Sequence, residues 1–123
     1  MIRENETFGM INMNWNTITS ENQLDDLVEK STEKAVLIFK HSTRCSISAM
    51  VKSRLEHAWD DSADIEPYYL DLIRYRNISN EIASKFNIHH ESPQAILLKD
   101  GKVAHHSSHM GISVDNMKAA AKS

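Results

Sequence analysis

Ala35-Val36-Leu37-Ile38-Phe39, followed after a polar stretch by Cys45-Ser46-Ile47-Ser48, is the part of this 123-residue chain that decides its fold. Five apolar residues in a row form a strand-length segment with no polar face. Such a run is expected where both faces of a strand are covered, as in a sheet with helices on each side. Lys40 to Arg44 reads as a short polar loop. Beyond it Ile47, Met50, Val51, Leu55, Ala58 and Trp59 recur at i, i+3/i+4 spacing. That spacing predicts an amphipathic helix starting near Cys45, with Met50 and Trp59 in its core-facing stripe.

Working outward toward the N-terminus, Ser20-Glu21-Asn22-Gln23 has the form of a capping box, and Leu24, Leu27 and Val28 follow at helical spacing. A helix over about 20–31 is expected. Trp15 to Ile18 is a weak strand signal, and residues 1–13 show no period and read as a poorly ordered segment. Toward the C-terminus, Ile65 to Leu72 is a strand candidate with Pro67 near its start, and Ile78, Ile82 and Phe86 mark a third helix. Ala95 to Leu98 and Lys102 to His105 flank Asp100-Gly101, a hairpin signature. Ser113, with Val114, Met117 and Ala121 behind it, opens a closing helix. The predicted order is β-α-β-α-β-α-β-β-α. Helical crossovers allow parallel pairing of the first three strands, while the hairpin is antiparallel. This is an α/β class with a mixed central sheet and helices on both faces, the thioredoxin-like plan, as one domain over 14–123.

Composition agrees with a single globular unit. Hydrophobic residues make up 41% and charged residues 25%, which argues against a mostly disordered chain. With 14 Lys plus Arg against 17 Asp plus Glu, the net charge is −3, a poor footprint for nucleic acid. No apolar run approaches the ~20 residues that span a bilayer. Met1-Ile2-Arg3-Glu4-Asn5-Glu6 is acidic where a signal peptide is basic and then apolar. A cytoplasmic monomer, acting on neither nucleic acid nor membrane, is the expectation.

The single cysteine, Cys45, rules out an intrachain disulfide and a four-cysteine zinc site. It falls where a strand gives way to a helix. Unpaired amides and the positive end of the helix dipole there favour an anionic sulfur, and Arg44 adds a cation. Ser48, three residues on, offers a hydroxyl within the first turn. The polar flank of Ser42, Thr43, Arg44, Ser46 and Ser48 favours a reactive thiol over an inert one. An acidic sulfur also leaves faster when a second thiol attacks its mixed disulfide. That suits a lone cysteine that must take up and release adducts. His41 is a candidate proton acceptor, and Asp71 lies where a strand end could reach the site. His89, His90, His105, His106 and His109 lie outside the predicted helices and read as solvated loop residues, so no metal site is expected. Asp60, Asp61 and Asp64 read as a solvated loop.

Cys45-Ser46-Ile47-Ser48 resembles the monothiol form of the thioredoxin Cys-x-x-Cys motif. The stretch from Ile82 to Ile88, followed by Ser92-Pro93 and the hairpin, resembles the third helix and cis-proline loop of thioredoxins. More closely, Phe39 through Ser48, Glu91-Ser92-Pro93-Gln94, and Ser107-Ser108-His109 with Ile112 resemble the YtxJ family of monothiol bacilliredoxins C over about residues 14–121. The chain departs from that family's pattern with Ser46 in place of proline and Met110 where an aromatic is common. The resemblance implies removal of bacillithiol, as a co-substrate and with no tightly bound cofactor, from S-bacillithiolated cytoplasmic proteins. Cys45 and Ser48 are then the catalytic residues. Thr43, Arg44, Ser46, Ser92 and Pro93 bind substrate, and a cis peptide before Pro93 leaves the Ser92 backbone open to an extended segment. Two alternatives remain: a non-catalytic binding or stress-adaptor domain, and a glutaredoxin-like protein using another small thiol. A one-cysteine peroxidase of the peroxiredoxin kind is disfavoured, because Ile38 and Ser42 stand where its motif needs proline and threonine.

Overall fold

The computed structural model describes residues 13–59 and 64–122. Its elements are β1 (Asn16–Thr17), α1 (Asn22–Lys30), β2 (Ala35–His41), α2 (Ser46–Ala58), β3 (Ile65–Asp71), α3 (Arg76–Phe86), β4 (Gln94–Lys99), β5 (Lys102–Ser108), a 3-10 turn (His109–Gly111) and α4 (Val114–Lys122). The five strands form one sheet in the order β1-β3-β2-β4-β5. β1 and β2 run parallel to β3, whereas β2–β4 and β4–β5 are antiparallel. The expected order and mixed sheet are both present. Residues 1–12 and Asp60 and Asp61 lie outside the described residues. Met13 is buried in the core, so packing reaches into the segment read as poorly ordered.

β2 is central and buried at all seven positions. Its side chains alternate between two cores, as strand geometry requires. Ala35, Leu37 and Phe39 join Val51, Leu55 and Met117 beneath α2 and α4. Val36 and Ile38 join Leu24, Leu27, Ile78 and Ile82 beneath α1 and α3. The strand continues two residues past the apolar run. Lys40 and His41, read from sequence as loop, are strand residues at 0% and 7% exposure. Parity places Lys40 on the α1/α3 face and His41 on the α2 face.

α2 also departs from its expected stripe. Ser48, Val51 and Leu55 are its buried residues, while Ile47, Met50 and Ala58 are exposed. Trp59 is buried, as expected, just past the helix end. The capping box of α1 is half formed. Gln23 Oε1 accepts from the Ser20 N–H at 3.0 Å, but the helix starts at Asn22, with Glu21 as an N-cap whose side chain makes no capping bond.

Candidate active site

Antiparallel pairing of Lys40 with Gln94 puts the chain leaving β2 and the chain entering β4 at one end of the sheet. Cys45 lies on the first of these segments and Ser92-Pro93 on the second. The Ser92–Pro93 bond is cis, as expected. The Ser42–Cys45 loop closes as a turn, with the Cys45 N–H donating to Ser42 O at 3.1 Å. Cys45 is the extended N-cap of α2 (φ −107°, ψ 120°), a free thiol of intermediate exposure, and its carbonyl accepts the first helical bond from the Ala49 N–H at 3.0 Å. Unpaired amides of the first turn therefore surround the sulfur's attachment point. Thr43, Arg44 and Ser46 are exposed beside it.

Ser48 is fully buried, and its hydroxyl faces the end of β2. It accepts from the Ser42 N–H at 3.0 Å, and it lies 2.8 Å from His41 Nδ1. These are the hydrogen bonds of the Ser48 side chain among the described residues, so its hydroxyl is engaged by His41 and Ser42 and not by the thiol. His41 sits against the rings of Phe39 and Tyr69, with centroids at 5.9 and 6.3 Å. Burial, aided by Lys52, pushes its pKa below 6.5, and Asp71 and Glu56 oppose the shift. Asp71 pairs with His41 in register, and its Oδ1 accepts from the Ile73 and Arg74 amides at 3.1 and 3.3 Å, which shapes the turn after β3.

The cis-proline loop is tied to the end of β5. The His109 N–H donates to Pro93 O at 2.9 Å, and His109 Nδ1 lies 3.5 Å from Glu91 Oε1. From sequence, His109 reads as a solvated loop residue. It is half exposed, but it joins the two segments that carried the resemblance. His90 Nδ1 lies 3.4 Å from Ser79 Oγ. No group of three or more His, Cys, Asp or Glu side chains converges among the described residues. Lys40 Nζ, Ser92 Oγ and Gln94 Oε1 are buried without a hydrogen-bond partner.

Sequence reasoning missed the engagement of Ser48 by His41, yet a signal was present. Counting parity from Phe39 two residues on puts His41 on the α2 face, where the first turn of α2 must pack.

The family model of the monothiol bacilliredoxin BrxC matches residues 16–117. The chain belongs to the monothiol bacilliredoxin BrxC family. Among solved structures, a thioredoxin-fold protein suggested to be an oxidoreductase matches with TM-score 0.72 at 30% identity, over 86% of this chain and 92% of that one. A thioredoxin from Malassezia sympodialis matches with TM-score 0.66 at 17% identity, over 91% of each chain. A thioredoxin from Trypanosoma brucei brucei matches with TM-score 0.67 at 14% identity, over 89% of this chain and 88% of that one. The last two share the fold. For a BrxC family member with one cysteine, the class of activity is thiol–disulfide oxidoreduction of the monothiol kind. No helix among the described residues is long and apolar enough to cross a membrane.

Proposed function

We propose that this protein removes bacillithiol from mixed disulfides on cytoplasmic proteins, with Cys45 as the nucleophile. The carrying observation is the lone thiol at the N-cap of α2, with a buried Ser48 at the position where a dithiol redoxin holds its second cysteine. The Cys45 thiolate attacks the bacillithiol sulfur of the substrate disulfide. The protein sulfur leaves as a thiolate and takes up a proton, and Cys45 carries the bacillithiol. A serine hydroxyl cannot resolve that disulfide, so an external thiol must. Its thiolate attacks the bacillithiol sulfur, Cys45 leaves as a thiolate, and a bacillithiol-containing disulfide departs.

The surroundings support a macromolecular substrate. Ile47, Met50 and Met110 are large apolar side chains at 48%, 45% and 54% exposure, and the first two lie on the helix that Cys45 caps. In this reading Thr43, Arg44 and Ser46, exposed beside Cys45 in the chain, and Ser92 and Pro93, which enter β4 at the same end of the sheet, bind the substrate. The test is intact mass after exposure to oxidised bacillithiol and, separately, to oxidised glutathione, followed by release of the adduct with free thiol. A single bacillithiol adduct that Cys45→Ser abolishes, along with transfer from a bacillithiolated protein, is expected. A preference for glutathione would reassign the co-substrate. Undiminished transfer by Cys45→Ser would refute the mechanism.

A further inference from the structure

Ser48 Oγ has one proton to give and two lone pairs to accept with. The Ser42 N–H fills one lone pair at 3.0 Å. The 2.8 Å contact with His41 Nδ1 has two readings. Either Ser48 donates to a bare Nδ1, or a protonated Nδ1 donates to the second lone pair of Ser48. In the second case the hydroxyl proton is left over. Ser48 is 0% exposed, and a buried donor without an acceptor is costly. With neutral His41 the first reading satisfies both Nδ1 and the Ser48 hydroxyl, which puts the imidazole proton on Nε2. Groups facing the ring from its neighbours are Ser48, Lys52 and Glu56 on α2 and Tyr69 and Asp71 on β3.

Protonation reverses the bond. Nδ1–H must then donate to Ser48, and the hydroxyl proton needs another acceptor. Residues three apart share a helix face. Cys45, the N-cap three residues before Ser48, carries a free thiol and offers its sulfur as that acceptor. We propose that His41 is a positioning residue of the Cys45 site: neutral, it holds the Ser48 hydroxyl proton away from the sulfur; protonated, it donates to Ser48 and turns that hydroxyl onto Cys45.

The inference rests on Cys45 being the working nucleophile, but its test needs no disulfide substrate. The rate of Cys45 alkylation by iodoacetamide, followed from pH ~4.5 to ~8.5 across the histidine range, is expected to show two inflections. The acid limb should exceed a single titration by about fivefold, the size of one net hydrogen bond. His41→Asn retains a hydrogen-bonding group and cannot titrate, so one inflection should remain. Ser48→Ala keeps the imidazole charge and should lose most of the excess. A single inflection in the wild type, two in His41→Asn, or an undiminished excess in Ser48→Ala would each overturn the proposal. Nitrogen-15 shifts of the His41 ring test it without substitution. Above the lower inflection Nε2 should be protonated and Nδ1 bare, and a protonated Nδ1 at neutral pH overturns it. A protein inert toward mixed disulfides that still shows this behaviour would refute the proposed function and leave the relay standing.

Discussion

Lys40 carries an ammonium group into a fully buried strand position on the α1/α3 face, where its Nζ has no hydrogen-bond partner. Burial pushes its pKa down to about 8 from 10.5. The charged form is thus disfavoured in the folded chain. The penalty is fully present below about pH 8 and fades as pH rises toward 10.5, where the unfolded chain also loses its proton. At ~1.4 kcal/mol per unit the penalty is roughly 3 kcal/mol. Lys40→Met keeps the volume and removes the charge, so it should stabilise the protein at pH 7 by about 1–3 kcal/mol. Urea midpoints at pH ~7 and ~10 check this, because the advantage of the variant should shrink at the higher pH. A variant less stable than wild type at pH ~7 would mean that the ammonium is stabilised in the fold. Lys40 shows why residue-level reading of the site was incomplete. A lysine after an apolar run looks like the start of a loop, and only the pairing of residues 35–41 with β3 and of residues 36–40 with β4 keeps it in the sheet.

At the scale of elements, the β4–β5 hairpin was readable because its turn chemistry is local. Asp100 and Gly101 both have positive φ, 54° and 79°. The turn is also anchored across the fold: the Asp100 N–H donates to Ser31 O at 2.7 Å, and the Gly101 N–H donates to Ser31 Oγ at 2.8 Å. A Cβ at Gly101 would meet Val28 Cγ1 at an ordinary 3.8 Å, so space is available. The cost of Gly101→Ala is therefore backbone strain, about 1–2 kcal/mol. Chemical denaturation should show a loss of that size with unchanged circular dichroism, and no loss would mean that the turn relaxes out of the left-handed region. α2 behaved differently. Its 3.6-residue period was legible, but two stripes compete along it, Ile47/Met50 and Ser48/Val51/Leu55. The bonds from Ser48 to the end of β2 accompany the second, and they turn Ile47 and Met50 out to solvent. Sequence hydrophobicity favours the first stripe and carries no knowledge of that anchor.

Across the whole molecule, several of the ion pairs are exposed and contribute little, as with Lys85–Asp25 and Lys34–Asp64. Acid sensitivity should come in part from histidines held neutral. His41 is pushed below 6.5 mainly by burial, and His90 likewise, with Lys40 and Arg76 adding to it. The unfolded chain protonates first as pH falls through about 6.5, so stability should decline from there and level off below the folded values. Thermal or urea unfolding between pH ~7 and ~5 should show the decline, with a shallower slope in His41→Asn. An equal slope in that variant would remove His41 from the acid response.

The sequence by itself determined the order of strands and helices, the hairpin, the start of a helix at Cys45, and the cis-proline segment. Each of these is written in neighbouring residues: a run of apolar side chains, a period, a turn dipeptide, a motif. Tertiary structure alone decided which stripe of α2 faces inward and that Lys40 and His41 stay buried in β2. It also decided that Ser48 serves His41 and Ser42, and that His109 holds the Pro93 loop. These depend on what lies across a strand, a helix or the sheet. A local pattern specifies that a side chain has a period and a face, and the partner waiting there is fixed only when distant segments pack.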